Sequence, residues 1–135
     1  MVPLEELNVY RVAMEIGDMA WKIVDKWPPF ARQTLGGQFV RFADSIAFNI
    51  AEGYGRYFYK ENRNFCFYNR GSAKEATCAV RKAKTRNLIT EQEDTILEDK
   101  LLSYFKLINA YIKSIGSSGV MTIRQALTTD SLTTD

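Results

Sequence analysis

A chain of 135 residues, 46% apolar and 25% charged, can bury one substantial core and is too short for two comfortable domains. Its net charge of +2 falls short of the strongly basic balance of a dedicated nucleic-acid binder. It has no histidine, so the commonest general base and metal ligand is missing.

The acids lie scattered among Lys and Arg, and no Gly-rich phosphate loop or ligand-spaced Cys cluster occurs. The expectation is a protein that is not an enzyme and needs neither metal nor cofactor. No run approaches the roughly 20 apolar residues of a membrane span. Glu5 and Glu6 stand where a signal peptide carries basic and then apolar residues. The expected location is therefore the cytoplasm.

The apolar periodicity predicts four helices in chain order. The first covers 4–26 and stops before Trp27-Pro28-Pro29, because Pro28 disfavours helix in the residue it follows. Its core stripe is Tyr10, Ala13, Met14, Gly17, Ala20, Trp21 and Val24. A second stripe, Val9, Val12, Ile16, Met19 and Ile23, repeats at 3-4-3-4 spacing and predicts an oligomer interface. The alternative is one wide core face, covered by the tail or by the linker 28–35. Arg11/Glu15 and Asp18/Lys22 are spaced as i,i+4 pairs on the polar side.

The second helix covers 36–52 and ends at Gly53-Tyr54-Gly55. Beside its apolar row Phe39, Phe42, Ala43, Ile46 and Ile50 runs a polar row, Gln38, Arg41, Ser45, Asn49 and Glu52. Polar groups this close to a core are expected to bond to one another or to a neighbouring helix, setting register; the competing reading is a binding site.

The third helix, 58–86, carries most of the positive charge. Between residues 56 and 86 nine basic side chains face two acids, Glu61 and Glu75. Arg56, Lys60, Arg63, Arg70, Lys74 and Arg81 are the candidate phosphate contacts, and all but Lys60 fall in a narrow sector opposite the apolar positions Phe58, Phe65, Ala76, Ala79 and Ala83. The alternative is a solvated face neutralised by Glu91, Glu93, Asp94, Glu98 and Asp99. Cys66 and Cys78 lie twelve residues apart on this helix, about 18 Å, and are expected as free thiols.

Thr90 and Glu93 form a capping box that opens the fourth helix, which runs to 115 before Gly116-Ser117-Ser118-Gly119. Leu97, Leu101, Tyr104, Ile108, Tyr111 and Ile115 mark its core side. The fold class is all-α, an antiparallel up-down four-helix bundle over 1–117. A Thr-rich tail, 118–135, contains Leu-Thr-Thr-Asp twice.

The stretch Gln38-Phe-Val-Arg41-Phe-Ala43-Asp-Ser45-Ile46-Ala-Phe-Asn49-Ile50-Ala51-Glu52-Gly53, with Arg56, Gly71-Ser72 and Glu75, resembles the signature of the bacterial four-helix-bundle proteins encoded in intervening sequences of 23S rRNA genes. The resemblance covers roughly 4–115. It implies a homopentameric ring and no enzymatic activity. A related branch, the accessory variability determinant of diversity-generating retroelements, implies binding of nucleic acid and of a reverse transcriptase. Carried over by position, Arg41, Ser45, Asn49, Glu52, Arg56, Ser72 and Glu75 are the shared polar residues. Phe42 departs from the pattern, standing where a basic residue is often found.

The expected function is a homo-oligomeric adaptor meeting RNA, DNA or a reverse transcriptase through its third helix. The alternative is a purely protein-binding scaffold that uses the tail or the polar row of the second helix.

Overall fold

The computed structural model describes residues 2–115. Among them stand four long helices, α1 (Asn8–Asp25), α2 (Gly37–Tyr54), α3 (Tyr59–Thr85) and α4 (Glu91–Ser114), and no strand. The Thr-rich tail, 118–135, and the Gly116–Gly119 stop lie outside the described residues.

Contacts between successive helices run in opposite directions. Val24 of α1 meets Gly36 just before α2 while Gly17 meets Asp44; Ser72 of α3 bonds Ser45 of α2 while Asn62 packs at Gly53. Asn62 reaches Tyr111 and Asn69 meets Tyr104 across α3 and α4. Lys100 of α4 pairs with Glu15 of α1 at 2.5 Å, and Glu93 with Lys26 at 3.3 Å. The four helices therefore close an antiparallel up-down ring around one core.

The ends follow local chemistry. The Thr90 hydroxyl accepts from the Glu93 N–H at 3.0 Å, and the Glu93 carboxylate accepts from the Thr90 N–H at 2.9 Å, completing the predicted capping box. At the end of α3, Asn87 adopts φ 57°. The Leu88 N–H donates to Ala83 O at 2.9 Å and the Asn87 N–H to Lys84 O at 3.0 Å, a Schellman closure in which Asn tolerates the left-handed region.

The linker expected at 28–35 is helical. Pro29 opens a short turn, Pro29–Ala31, which passes through a π segment, Arg32–Gly36, into α2. Proline suits a helix start because its missing N–H would have no partner there. The π segment turns Leu35 and Gly36 into the core and leaves Gln33 and Thr34 outside.

The two stripes predicted on α1 do not separate core from oligomer contact. Val9, Ile16 and Ile23, assigned to an interface, are buried in the monomer's own core with Ala13, Gly17, Ala20 and Val24. Val12 and Met19 are half-buried against it. Met14 and Trp21, assigned to the core, are 42% and 63% exposed. Packing centres the buried arc between the stripes because α2 and α4 approach α1 from adjacent sides. Nor does Arg11 pair with Glu15: it donates to Asn8, and Glu15 meets α4.

Gly53 sets the closest approach of α2 to α3. A Cβ there would lie 2.7 Å from Phe65 Cβ, 2.8 Å from Asn62 Oδ1 and 3.3 Å from the Asn62 backbone oxygen. Gly71, in the middle of α3, has nothing within 4 Å of the same position. Gly53→Ala is expected to cost about 1–3 kcal/mol by forcing the helices apart, whereas Gly71→Ala gains roughly 0.5–1 kcal/mol from helix propensity; urea denaturation of both variants checks the contrast.

The Thr90 N–H, and then Lys26, hold the Glu93 carboxyl below its ordinary value against a smaller opposing effect of burial. The folded state then binds fewer protons than the unfolded one. Its stabilisation is present above the unfolded carboxyl value of 4.5 and is lost as the pH falls through the lower folded value. Stability curves from about pH 5 to about pH 3 should fall less steeply for Glu93→Gln, which keeps a neutral capping side chain.

Candidate nucleic-acid interface

Part of the polar row on α2 forms a seam with α3. The Ser72 hydroxyl donates to Ser45 Oγ at 3.0 Å, and Asn49 Nδ2 donates to both Ser45 Oγ and Ser45 O at 2.9 Å. Gln38, Arg41, Glu52 and Glu75 are exposed and lie outside this network; Glu52 instead pairs with Arg56 at 2.5 Å. Of the five residues of that row, Ser45 and Asn49 bond to each other and, through Ser72, to the neighbouring helix.

A deeper polar layer was not singled out from the sequence. Asn69 is fully buried; its amide donates to Phe65 O at 2.8 Å and its carbonyl accepts the Tyr104 hydroxyl. Asn62 donates to the Tyr111 hydroxyl at 3.3 Å. Burial pushes the Tyr104 hydroxyl well above its ordinary value, so it is a neutral donor. Burial likewise raises the Cys66 thiol to about 12, against the pull of Arg63 and Arg70; this free cysteine is inert packing, while Cys78, also free, is exposed. The signal for the layer was available: Asn62, Cys66, Asn69, Ala73, Ala76, Val80 and Ala83 repeat at 4-3-4-3-4-3 spacing.

That buried row also corrects the placement of the basic stripe. Arg63 and Arg70 lie not opposite the core but on its flank, along the α3/α4 seam, and are half-buried. Arg63 donates to Ile115 O at 3.5 Å, and Arg70 to Asn109 Oδ1 at 2.9 Å. Each guanidinium also faces an aromatic ring: Arg56 over Phe65 at 5.2 Å, Arg63 over Tyr59 at 5.8 Å and Arg70 over Phe67 at 5.2 Å. Around them Tyr57, Phe58, Phe67 and Tyr68 are between 43% and 72% exposed. Lys60, Lys74 and Arg81 are exposed, with no ion pair among the described residues.

The acids of α4 neutralise only the end of α3. Lys84 bonds Asp94 at 2.9 Å and Glu91 at 3.3 Å, which raises its pKa, Asp94 first. Among the described residues, no group of Cys, Asp and Glu side chains converges to hold a metal ion.

A second cationic cluster was also missed. Arg41 and Gln38 of α2, Lys82 of α3 and Arg86 just after it, and Phe30 and Gln33 of the lead-in to α2 line one cleft of about 830 Å³. Helical spacing could have grouped Lys82 with Arg86, but only the crossing of α2 and α3 brings Arg41 to them.

The described residues thus form an all-helical four-helix bundle that carries cations and aromatic rings side by side along one flank of its third helix, Arg63 with Tyr59 and Arg70 with Phe67. The chain itself is a member of the 23S rRNA-intervening sequence protein family, whose model matches residues 5–110. No curated protein matches it. Among the described residues, no helix is long and apolar enough to cross a membrane.

Replacing Asn69 by Ala leaves the Tyr104 hydroxyl buried without its acceptor, and is expected to lower stability by about 1–3 kcal/mol. Adding Tyr104→Phe to that background should recover part of the loss, so a double-mutant cycle in urea reads a coupling energy of about 0.5–3 kcal/mol.

Proposed function

We propose that the protein is a non-enzymatic, homo-oligomeric adaptor that binds RNA or DNA, or a nucleic-acid enzyme such as a reverse transcriptase, through the outer side of α3. The observation that carries this reading is the alternation of guanidinium groups and rings along the helix. Arg63 and Arg70 each face a ring of their own helix, and Lys60, Lys74 and Arg81, without an ion pair among the described residues, extend the charge along the same side. Cations follow a phosphate backbone while exposed rings accept base faces, and neither contact depends on sequence. Arg63 and Arg70 are held by α4, so they present a fixed surface at little entropic cost.

Assembly into a ring of five is part of the proposal and rests on the family. With Val9, Ile16 and Ile23 inside the monomer, we assign the subunit contact to the exposed apolar flank of α1 and α2. Met14 and Trp21 of α1 and Phe48 of α2 are 42%, 63% and 69% exposed there. The same apolar flank favours the second reading, a scaffold that binds only protein.

Salt separates the two readings. The triple change Lys60→Glu, Lys74→Glu, Arg81→Glu should weaken binding of RNA or DNA and lower the slope of log affinity against log salt by roughly 0.7–0.9 for each phosphate no longer neutralised. Light scattering should give about five times the 15.5 kDa chain mass at low and high salt. A 15.5 kDa particle would overturn the assembly. Unchanged affinity of the triple variant for RNA, DNA and the reverse transcriptase would overturn the α3 surface.

A further inference from the structure

We infer that the cleft between the lead-in to α2 and the C-terminal end of α3 is a separate site for one or two nucleotides of a single strand. Arg41, Lys82 and Arg86 would take the phosphates and the Phe30 ring would take a base. The proposal shares its ligand class with the α3 surface but none of its residues.

Three cations from two helices line the cleft, and no acid does. Among the described residues none of the three makes an ion pair, although Lys84, two residues from each of Lys82 and Arg86, is neutralised by two acids of α4. A polyanion would supply the partners that these lining cations lack among the described residues. Carboxylates would do so too, but the remaining walls select further.

Phe30 is 80% exposed at the rim of the cleft. It is held there by the first turn of a helix, where its carbonyl accepts the Thr34 hydroxyl at 2.7 Å. An aromatic face presented beside phosphate-binding cations suits a base stacked next to its own phosphate. A duplex keeps its base faces covered and cannot use it. The exposed amides of Gln33 and Gln38 offer donors and acceptors to base edges.

The volume, about 830 Å³, lies within the range of roughly 300–1,000 Å³ that holds small ligands, enough for a nucleotide and its neighbour. The wall that carries Gln33 and Thr34 is the π segment Arg32–Gly36. An extra residue per turn rotates those two side chains outward while Leu35 and Gly36 stay in the core, and such local departures from the α-helix recur at functional sites.

The test is fluorescence anisotropy of the full chain with labelled ten-nucleotide oligo-uridylate and oligo-adenylate, a hairpin duplex of equal charge, and unlabelled polyglutamate as competitor. Arg41→Glu with Arg86→Glu should weaken single-strand binding about tenfold or more and duplex binding less than twofold. Phe30→Ala should weaken single-strand binding about threefold or more without changing the salt slope. All three side chains are exposed, so folding should persist, and Arg41→Gln with Arg86→Gln should give a smaller loss in the same direction.

Unchanged single-strand binding in the cleft variants, alongside loss in the Lys60, Lys74 and Arg81 variant, overturns the cleft and leaves the α3 surface standing. The reverse pattern keeps the cleft and overturns the surface. Polyglutamate displacing the oligonucleotides at equal charge concentration also overturns the cleft, because it shows recognition of negative charge alone.

Discussion

The closeness of α2 to its neighbours governs this molecule. At Gly53 the backbone of α2 meets Asn62 and the Cβ of Phe65, where any larger side chain would collide. Once that distance is set, Ser45 falls opposite Ser72 at hydrogen-bond length, and a shift of one turn, about 5.4 Å, would leave both seam and contact unmade. The same register carries Arg41 toward Lys82 and Arg86, building the cleft they share. A glycine contact and a serine pair therefore position groups that touch neither of them.

The α3 helix shows how one element can serve both core and surface. Its buried side is made of four Ala residues with two Asn, one Cys, one Ser and one Val, small enough for α2 to approach closely and polar enough to need partners. Tyr104 and Tyr111 of α4 supply those partners. A buried amide without one would cost about 1–3 kcal/mol, so the two bonds penalise any slippage of α3 against α4. On the flank of the same helix Arg63 and Arg70 bond to α4 through Ile115 O and Asn109 while facing rings of their own helix. The groups read as a solvated stripe are thus partly structural, and Lys60, Lys74 and Arg81 remain the free cations of that side among the described residues.

The charge of the chain is small in total and uneven in place. Acids at the start of α4 cap the helix through Glu93 and neutralise Lys84. Among the described residues they make no ion pair with Arg41, Lys82 or Arg86. A net charge of +2 is therefore compatible with two local concentrations of positive charge, because pairing removes the charge of Lys84 and leaves that of Lys82 and Arg86, on another side of the same helix end, standing.

Periodicity, caps and punctuation were legible in the sequence because they depend on neighbours three or four residues apart. They determined the four helices, the Thr90–Glu93 capping box, the end near Trp27-Pro28, and the expectation that polar side chains beside the core of α2 bond to one another or to a neighbouring helix. The motif around Ser45, Asn49 and Glu52 also carried the family. Tertiary packing decided which of the two α1 stripes turns inward, since two neighbours on adjacent sides bury an arc between them and leave Met14 and Trp21 outside. It placed Arg63 and Arg70 on a seam, converted the 28–35 linker into a π-turned helix and brought Arg41 to the end of α3. Each of these depends on the rotation of one helix against another, and that angle is set by side-chain volumes and close approaches between residues far apart in the chain, to which a helical period is blind.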